Sequence, residues 1–553
     1  MFLALALSLV AIARIASTYR VLSQAYDEPA HIACGMEWLS RGTYTLEPLH
    51  PPLARVAAAI GPYLDGKRLL AVHTAPDQSV NLFATGNDIL NANGDYFRTL
   101  TLARLGILPF FALSVALVFL WTRKLFGDWA AVVAVATFTN LPPILAFFGV
   151  AYTDPALAAL LPCSLFAFSN WLEDFKVGQA ILLGIATGLA VLSKFTALLF
   201  LPPCFLLILL TKWRIGSVAT SLSIRRWKAA LSIAAVVTVL VVWAGFRFSI
   251  EPIPKPPQNI VALKHLPAPL YSLAVDTLEL SHWIPAPALF RGLDADLRMN
   301  SHAPPSYLLG HIRRGGWWYF FIVAAAVKTP IAFLLLSAIG MGSILYSLKR
   351  NPDWRVVTPL VSIFAMLMVT MPAKINYGVR HMLVIYPLAA IVAGAGAMWL
   401  WQYRSQQWPV GRLILVCLLA WQIVSSARAH PDYLSYFNEV ASGKPADYLL
   451  WGCDLDCGQD TYRLAQVLKE RGIDHATLCL FTSADTTRLG LSGLQDCVPY
   501  RRVTGWVAGS VRLIKTGDTF WGGNHLDSYS WLSSYTPVQQ VGRTIQLYYI
   551  PPE

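Results

Sequence analysis

Apolar runs bounded by charged residues recur along this chain, and their length constrains what it can fold into. They fall near residues 1–17, 101–122, 129–149, 155–172, 178–193, 196–211, 229–247, 318–346, 356–371, 382–402 and 411–427. Most approach the ~20 residues that a helix needs to cross the hydrocarbon core of a bilayer. Backbone in hydrocarbon must satisfy its own hydrogen bonds, so each run reads as a helix. Of the 553 residues, 13% are charged and 56% hydrophobic, where soluble domains carry roughly 25% charge. A polytopic α-helical membrane protein with about eleven transmembrane helices is therefore expected. The first run is interrupted only by Arg14. It lacks the basic start and small-residue cleavage site of a signal peptide, and is read as a span.

The net charge of +12 is scattered in short clusters between the runs. That is the pattern of cytoplasmic loops, not of a nucleic-acid surface, so no nucleic-acid partner is expected. With the N-terminus cytoplasmic, one side receives Arg123-Lys124, Lys176, the run Lys212 to Lys228, Lys349-Arg350 with Arg355, and Arg404 with Arg412. The other side receives two large loops, 18–100 and 248–317, and the tail from Arg428 to Glu553. Residues 1–427 then form a transmembrane module of the inner (plasma) membrane with large extracytoplasmic loops. Residues 428–553 form a small α/β C-terminal extracytoplasmic domain, with a helix near 459–471 and a strand-like Ala476 to Phe481. The EPIPKPP stretch at 251–257 cannot be regular helix, because proline removes donors and fixes φ. Trp317-Trp318-Tyr319 suits an interfacial aromatic belt.

Cys34 lies in the first loop, and Cys163, Cys204 and Cys417 lie in apolar runs as small buried residues. Cys453, Cys457, Cys479 and Cys497 fall in the tail, where an oxidising compartment would let them pair.

Candidate chemistry gathers in the outer loops. Tyr26-Asp27-Glu28-Pro29-Ala30-His31 follows the first run, and paired carboxylates beside a bilayer are costly unless solvated or used. Locally, Asp27 also reads as a helix N-cap with Pro29 in the first turn. His31 would share its helical face, four residues on. His50 precedes Pro51-Pro52-Leu53-Ala54-Arg55, where the prolines keep it on an irregular segment. Asp154 sits in the Tyr152-Thr153-Asp154-Pro155 turn, where a cap is again the local reading. Arg291, Arg298, Arg313 and Arg314 lie in the second loop, and Arg380-His381 heads the tenth run. Guanidinium forks suit phosphate oxygens, although Arg313 and Arg314 also suit interfacial anchoring. No Walker loop or HExxH motif is present.

YDEPAH, HPPLAR about twenty residues later, and TDPALA after the third run together resemble the GT-C membrane glycosyltransferases. The resemblance is to bacterial members of glycosyltransferase family 39, related to protein O-mannosyltransferases and the lipid A aminoarabinose transferase. It continues through GLAVLSKFTALLFLP, GWWYFFIVAAAVKTP, INYGVRHMLVIYP, HPDYLSYFNEVASGKP and DLDCGQD. It implies a GT-C fold and a hexosyl or pentosyl transferase that draws on a polyprenyl-phosphate sugar donor. The acceptor would be a protein hydroxyl, lipid A or an envelope glycan. By that resemblance Asp27 is the candidate base, with Asp154 a second acidic residue on the same cavity. Glu28 would orient Asp27, bind acceptor, or help hold a divalent cation (Mg or Mn); no cofactor is otherwise implied. His31, His50, Arg55, Arg313, Arg314, Tyr377, Arg380 and His381 are the candidate substrate-binding residues. His50 stands where the aminoarabinose transferase carries lysine, and Asp456-Cys457-Gly458-Gln459-Asp460 stands where relatives read Asp-Trp-Gly-Gln-Asp. A transporter or flippase of a lipid-linked glycan is the competing expectation, and a non-catalytic receptor or assembly factor the third.

Overall fold

The computed structural model describes residues 1–215, 224–252, 261–281, 283–403, 409–450, 452–517, 519 and 527–552. Arg404, most of the proline-rich 251–257 stretch and the middle of the Lys212–Lys228 run lie outside them. Helix α1 (Phe2–Ala16) leads into a loop that is itself helical: α2 (Glu28–Arg41), α3 (Pro52–Leu64), α4 (Leu82–Leu90) and α5 (Tyr96–Leu105). Prolines fix where α2 and α3 begin, since an N–H missing from the first turn costs nothing. These two helices cross closely at Gly35, where a Cβ would stand 2.0 Å from the Arg55 carbonyl oxygen.

The bundle continues with α6 (Leu108–Phe126), α7 (Asp128–Phe138) and α8 (Pro142–Phe147). The single span expected over 129–149 is thus broken. Pro142 and Pro143 remove donors and push Leu141 into extended backbone, ψ 113°. Then come α9 (Asp154–Asp174), α10 (Val177–Ser193), α11 (Thr196–Ile215) and α12 (Ile224–Gly245). The second loop carries β1 (Ile250–Pro252), α13 (Val261–Lys264), α14 (Ala268–Ser281), β2 (Trp283–Pro285), α15 (Pro287–Ser301), β3 (Pro305–Leu308) and β4 (His311–Arg314). β1 pairs with β2, and β3 with β4, both antiparallel. The expected span at 318–346 is also interrupted, into α16 (Phe320–Lys328) and α17 (Ile331–Arg350), at Pro330. α18 (Trp354–Thr370), α19 (Ile385–Gln402) and α20 (Val410–Arg428) complete the bundle.

Among the described residues, seven helices are long and apolar enough to cross a membrane, with α5 and α6 counted as one of 31 residues. Four shorter apolar helices, α1, α7, α10 and α18, occupy further expected spans. The tail folds as α21 (Pro445–Tyr448), α22 (Thr461–Glu470), β5 (Ala476–Cys479), β6 (Gln495–Asp496), β7 (Gly505–Ser510), α23 (Val511–Thr516), β8 (Gln539–Val541) and β9 (Ile545–Ile550). Its sheet runs β6-β5-β7-β9-β8, parallel across β6-β5-β7 and antiparallel beyond. Cys453 pairs with Cys457 and Cys479 with Cys497. Cys417 is exposed on the bundle surface, against the expectation that it is buried, because its side of α20 has no protein neighbour.

Replacing Gly35 with valine should lower the thermal unfolding temperature in detergent, by the equivalent of about 1–3 kcal/mol or more. Gly178→Ala, where a Cβ meets nothing within 4 Å, should leave the midpoint unchanged.

Candidate functional site

Glu28 is the node from which the site is built. It is fully buried, and its two oxygens accept from Arg104 Nε (2.9 Å) and Nη2 (2.7 Å), from the Ala25 N–H (2.7 Å) and from the Ala151 N–H (2.8 Å). Both oxygens are thereby engaged, so Glu28 sits as a structural anchor and has no oxygen to offer a metal or an acceptor. Among the described residues, no group of three His, Cys, Asp or Glu side chains could hold a metal ion.

Asp27, one residue earlier, stands at the N-cap position of α2 but makes no capping hydrogen bond with its side chain. Its Oδ2 accepts instead from Arg380 Nη1 at 2.8 Å. Its backbone N–H donates to the Tyr152 hydroxyl at 3.1 Å. Burial, the largest influence, pushes the Asp27 carboxyl upward, but the surrounding groups led by Arg380 together outweigh it and hold the carboxyl below its ordinary value. Arg380 also lies 5.3 Å from the centroid of the Tyr152 ring. Its Nε is buried with no acceptor among the described residues.

Asp154 likewise makes no cap bond; the N-cap is Thr153. Its Oδ1 is 2.5 Å from Nζ of Lys194, at the α10–α11 turn. Lys194 and Asp154 both act electrostatically on His381, and Arg380 on Asp154, so the two ion pairs form one cluster. His381 is held well below the ordinary histidine range by burial and then Lys194.

His31 and His50 form the adjoining wall, with ring centroids 5.4 Å apart, and His31 lies 5.6 Å from the Tyr152 ring. Burial and then Arg55 push His31 down to about 3, and His50 moves the same way. Both rings are therefore neutral. Arg55 is not free for a ligand: it donates to His31 Nδ1 (3.2 Å), the Tyr44 hydroxyl (3.1 Å), the Glu47 carbonyl (2.8 Å) and the Glu47 carboxylate. Tyr377 packs beside His381, with centroids 6.3 Å apart. Arg313 and Arg314 are exposed on the β3–β4 hairpin and make no ion pair with the site carboxylates among the described residues. The hairpin buries Ser306, Tyr307 and Leu308 of β3 and leaves β4, with both arginines, as its exposed strand.

Several site residues escaped the sequence reading. Lys194 left a trace, as a lone cation in a tight turn on the same side as Asp154. Arg104 left another, as a charge inside an apolar run. Asp454 opened the quoted DLDCGQD stretch without a role: its Oδ1 accepts from the Val379 N–H at 2.8 Å and so seats the Arg380 turn. Gly378 (φ 83°) is required there, because a Cβ would lie 2.5 Å from Asp454 Oδ2. The Tyr152 hydroxyl lies 3.3 Å and 3.2 Å from the Cys453 and Cys457 sulfurs. Buried Arg512 stacks 3.7 Å over Phe481, which stacks in turn on Tyr26 at 4.5 Å.

The bundle thus gathers carboxylates and cations at its loop-rich end. Residues 99–249 match the family described as Dolichyl-phosphate-mannose-protein mannosyltransferase. That segment carries Arg104, Asp154 and Lys194. No curated protein matches the chain. The apo oligosaccharyltransferase of Archaeoglobus fulgidus superposes with TM-score 0.50 at 12% identity, over 97% of this chain and 72% of its own. ArnT from Cupriavidus metallidurans, solved bound to undecaprenyl phosphate, gives TM-score 0.48 at 12% identity over 99% of both chains. The shared architecture is the GT-C fold.

Since His31 is neutral when folded, the folded chain binds fewer protons than the unfolded one between about pH 3 and the ordinary histidine value of 6.5. Stability is full above that value and falls as the pH drops through the window. His31→Asn should flatten this loss in unfolding curves recorded from pH 7.5 to 4.5, a range set by the His reference pKa of about 6.5. Glu28→Ala should cost about 3–5 kcal/mol by leaving Arg104 buried without its partner, read as a fall in unfolding midpoint.

Proposed function

We propose that this chain moves a sugar from a polyprenyl-phosphate donor to a hydroxyl of an extracytoplasmic acceptor, with inversion at the anomeric carbon, and that Asp27 is the base. The loops that build the site would then face away from the cytoplasm at the inner membrane, in keeping with the cationic clusters on the opposite side. The observation that carries this reading is the Asp27–Arg380 pair: a carboxylate held ionised beside a guanidinium whose Nε has no acceptor among the described residues. Support for the lipid donor comes from the family match and from the undecaprenyl phosphate named with ArnT.

In the reaction, the donor phosphate is received by Arg380, with Lys194 next to it. Drawing the guanidinium toward phosphate loosens its hold on Asp27, so the carboxylate becomes a better base as the donor seats. The acceptor hydroxyl oxygen attacks the anomeric carbon and its proton passes to Asp27. The bond from that carbon to the phosphate oxygen breaks, and the electron pair leaves with the lipid phosphate. Preorganised cations stabilise the charge that develops there. The neutral His31 and His50 can accept or donate hydrogen bonds to the sugar without competing for the phosphate. Asp154 keeps Lys194 in place and offers its second oxygen to the donor sugar.

Purified, membrane-inserted Asp27→Asn should lose transfer by roughly 10²–10⁴-fold, the contribution of a positioned base, while its unfolding midpoint stays near that of the wild type. Wild-type turnover in that variant would overturn the assignment. Arg380→Lys, which keeps charge but not the fork, should raise KM for the polyprenyl-phosphate sugar more than it lowers kcat. Vesicles that translocate labelled lipid without forming product would instead favour a flippase.

A further inference from the structure

Between α21 and α22 the stretch Cys453-Asp454-Leu455-Asp456-Cys457 is closed on itself by a disulfide. None of these residues is more than 4% exposed, and the mechanism proposed above uses none of them. The loop nevertheless reaches both sides of the Asp27–Arg380 pair. On the arginine side, Asp454 Oδ1 accepts from the N–H of Val379, the residue before Arg380, at 2.8 Å. On the carboxylate side the contacts come from sulfur. The Tyr26 N–H donates to Cys457 Sγ at 3.5 Å, and the next N–H, that of Asp27, donates to the Tyr152 hydroxyl at 3.1 Å. That hydroxyl lies 3.3 Å from Cys453 Sγ and 3.2 Å from Cys457 Sγ.

The oxidation state of the cysteines decides which way these bonds run. A disulfide sulfur has lone pairs but no proton, so the Tyr152 hydroxyl gives its hydrogen to sulfur and keeps its oxygen lone pairs for the Asp27 N–H. Two thiols would each bring a donor to the same oxygen, and their sulfurs could not stay at covalent distance. The backbone around them is pinned. The Asp454 carbonyl accepts from Lys328 Nζ, the Asp456 carboxylate accepts from the Ser510 hydroxyl, and the Cys457 N–H donates to Gln459 Oε1 at 2.7 Å. The sulfurs are therefore the part of the loop left to move, and what they meet is the Tyr152 hydroxyl and the Tyr26 N–H.

We propose that the Cys453–Cys457 disulfide is a positioning element for Asp27, acting through the Tyr152 hydroxyl, so that transfer is fast with the cysteines oxidised and slow with them reduced. Its effect on rate rests on Asp27 being the base, as proposed above. The reductant is a dithiol: its two thiols give up two electrons and two protons and close to a disulfide, while the Cys453–Cys457 bond opens to two S–H groups.

The test compares the full chain in detergent before and after dithiothreitol, with the free thiols located by alkylation and mass spectrometry. Reduction should speed hydrogen exchange of the Tyr26 and Asp27 amides, read on a peptide covering residues 23–30, by about tenfold, the scale of a lost hydrogen bond. C453S/C457S should show the fast exchange without reductant and no further change with it. With undecaprenyl-phosphate mannose as donor and membrane extract as acceptor, reduction should lower kcat by about tenfold or more, since a displaced catalytic group costs rate steeply. The donor KM should stay within about twofold. Tyr152→Phe should be slow already and insensitive to dithiothreitol. Unchanged exchange in both the reduced wild type and C453S/C457S would overturn the proposal. So would an undiminished kcat in either, or a further loss on reducing Tyr152→Phe. Where that donor is not turned over, the exchange measurement decides alone. Full activity of Asp27→Asn would remove the base and leave the exchange result standing.

Discussion

The buried Glu28–Arg104 pair is the constraint from which the rest of the site follows. One carboxylate joins three parts of the chain: the turn entering α2, the end of α5 and the turn before α9. Two charges taken out of water are costly unless each finds several partners, and here four donors converge on two oxygens. The consequence is positional. Asp27 is adjacent to Glu28, Tyr152 is adjacent to Ala151 and Asp154 lies three residues on, so fixing one node brings both candidate carboxylates to the same cavity. An acidic pair that looks like a repeated functional group in sequence is divided in space, one member a buried strut and the other paired with Arg380 in the cavity.

Around this node the charges alternate. Asp27 faces Arg380 and Asp154 faces Lys194, so the resting site is balanced, while burial holds the neighbouring histidines neutral, helped by Arg55 at His31 and by Lys194 at His381. Such a site can receive the single negative charge of a phosphodiester by exchanging partners, and its cations can then face the second charge that develops on the leaving lipid phosphate. It also leaves Asp27 ionised through the physiological range, so that in the proposed reaction proton uptake waits on the acceptor hydroxyl and not on the solvent.

The C-terminal segment is part of this construction. Asp454 seats the Arg380 turn, Asp456 receives the Ser510 hydroxyl, and the Cys453–Cys457 bridge lies against the Tyr152 hydroxyl that meets the Asp27 N–H. The departure of DLDCGQD from the aromatic form of the motif is thus accompanied by a disulfide in contact with the site. The same segment also meets the stretch that follows α20, where Gln459 donates to the Ser435 hydroxyl.

The sequence by itself determined the class of fold, because apolar length and the placement of Lys and Arg are local properties that bilayer physics converts directly into spans and sides. It also singled out Asp27, Asp154 and Arg380, since charges at the edge of an apolar run stand out without any knowledge of packing. It could not say that both aspartates forgo their caps, that Glu28 and Arg55 are consumed by Arg104 and Glu47, or that Arg313 and Arg314 turn outward on a hairpin. Nor could it bring Lys194 to Asp154 across 40 residues or Arg380 to Asp27 across 353. Those outcomes belong to the tertiary structure alone, because the partner that satisfies a buried charge is chosen by proximity in space, and a single chain carries no local signal of which distant residue will arrive there.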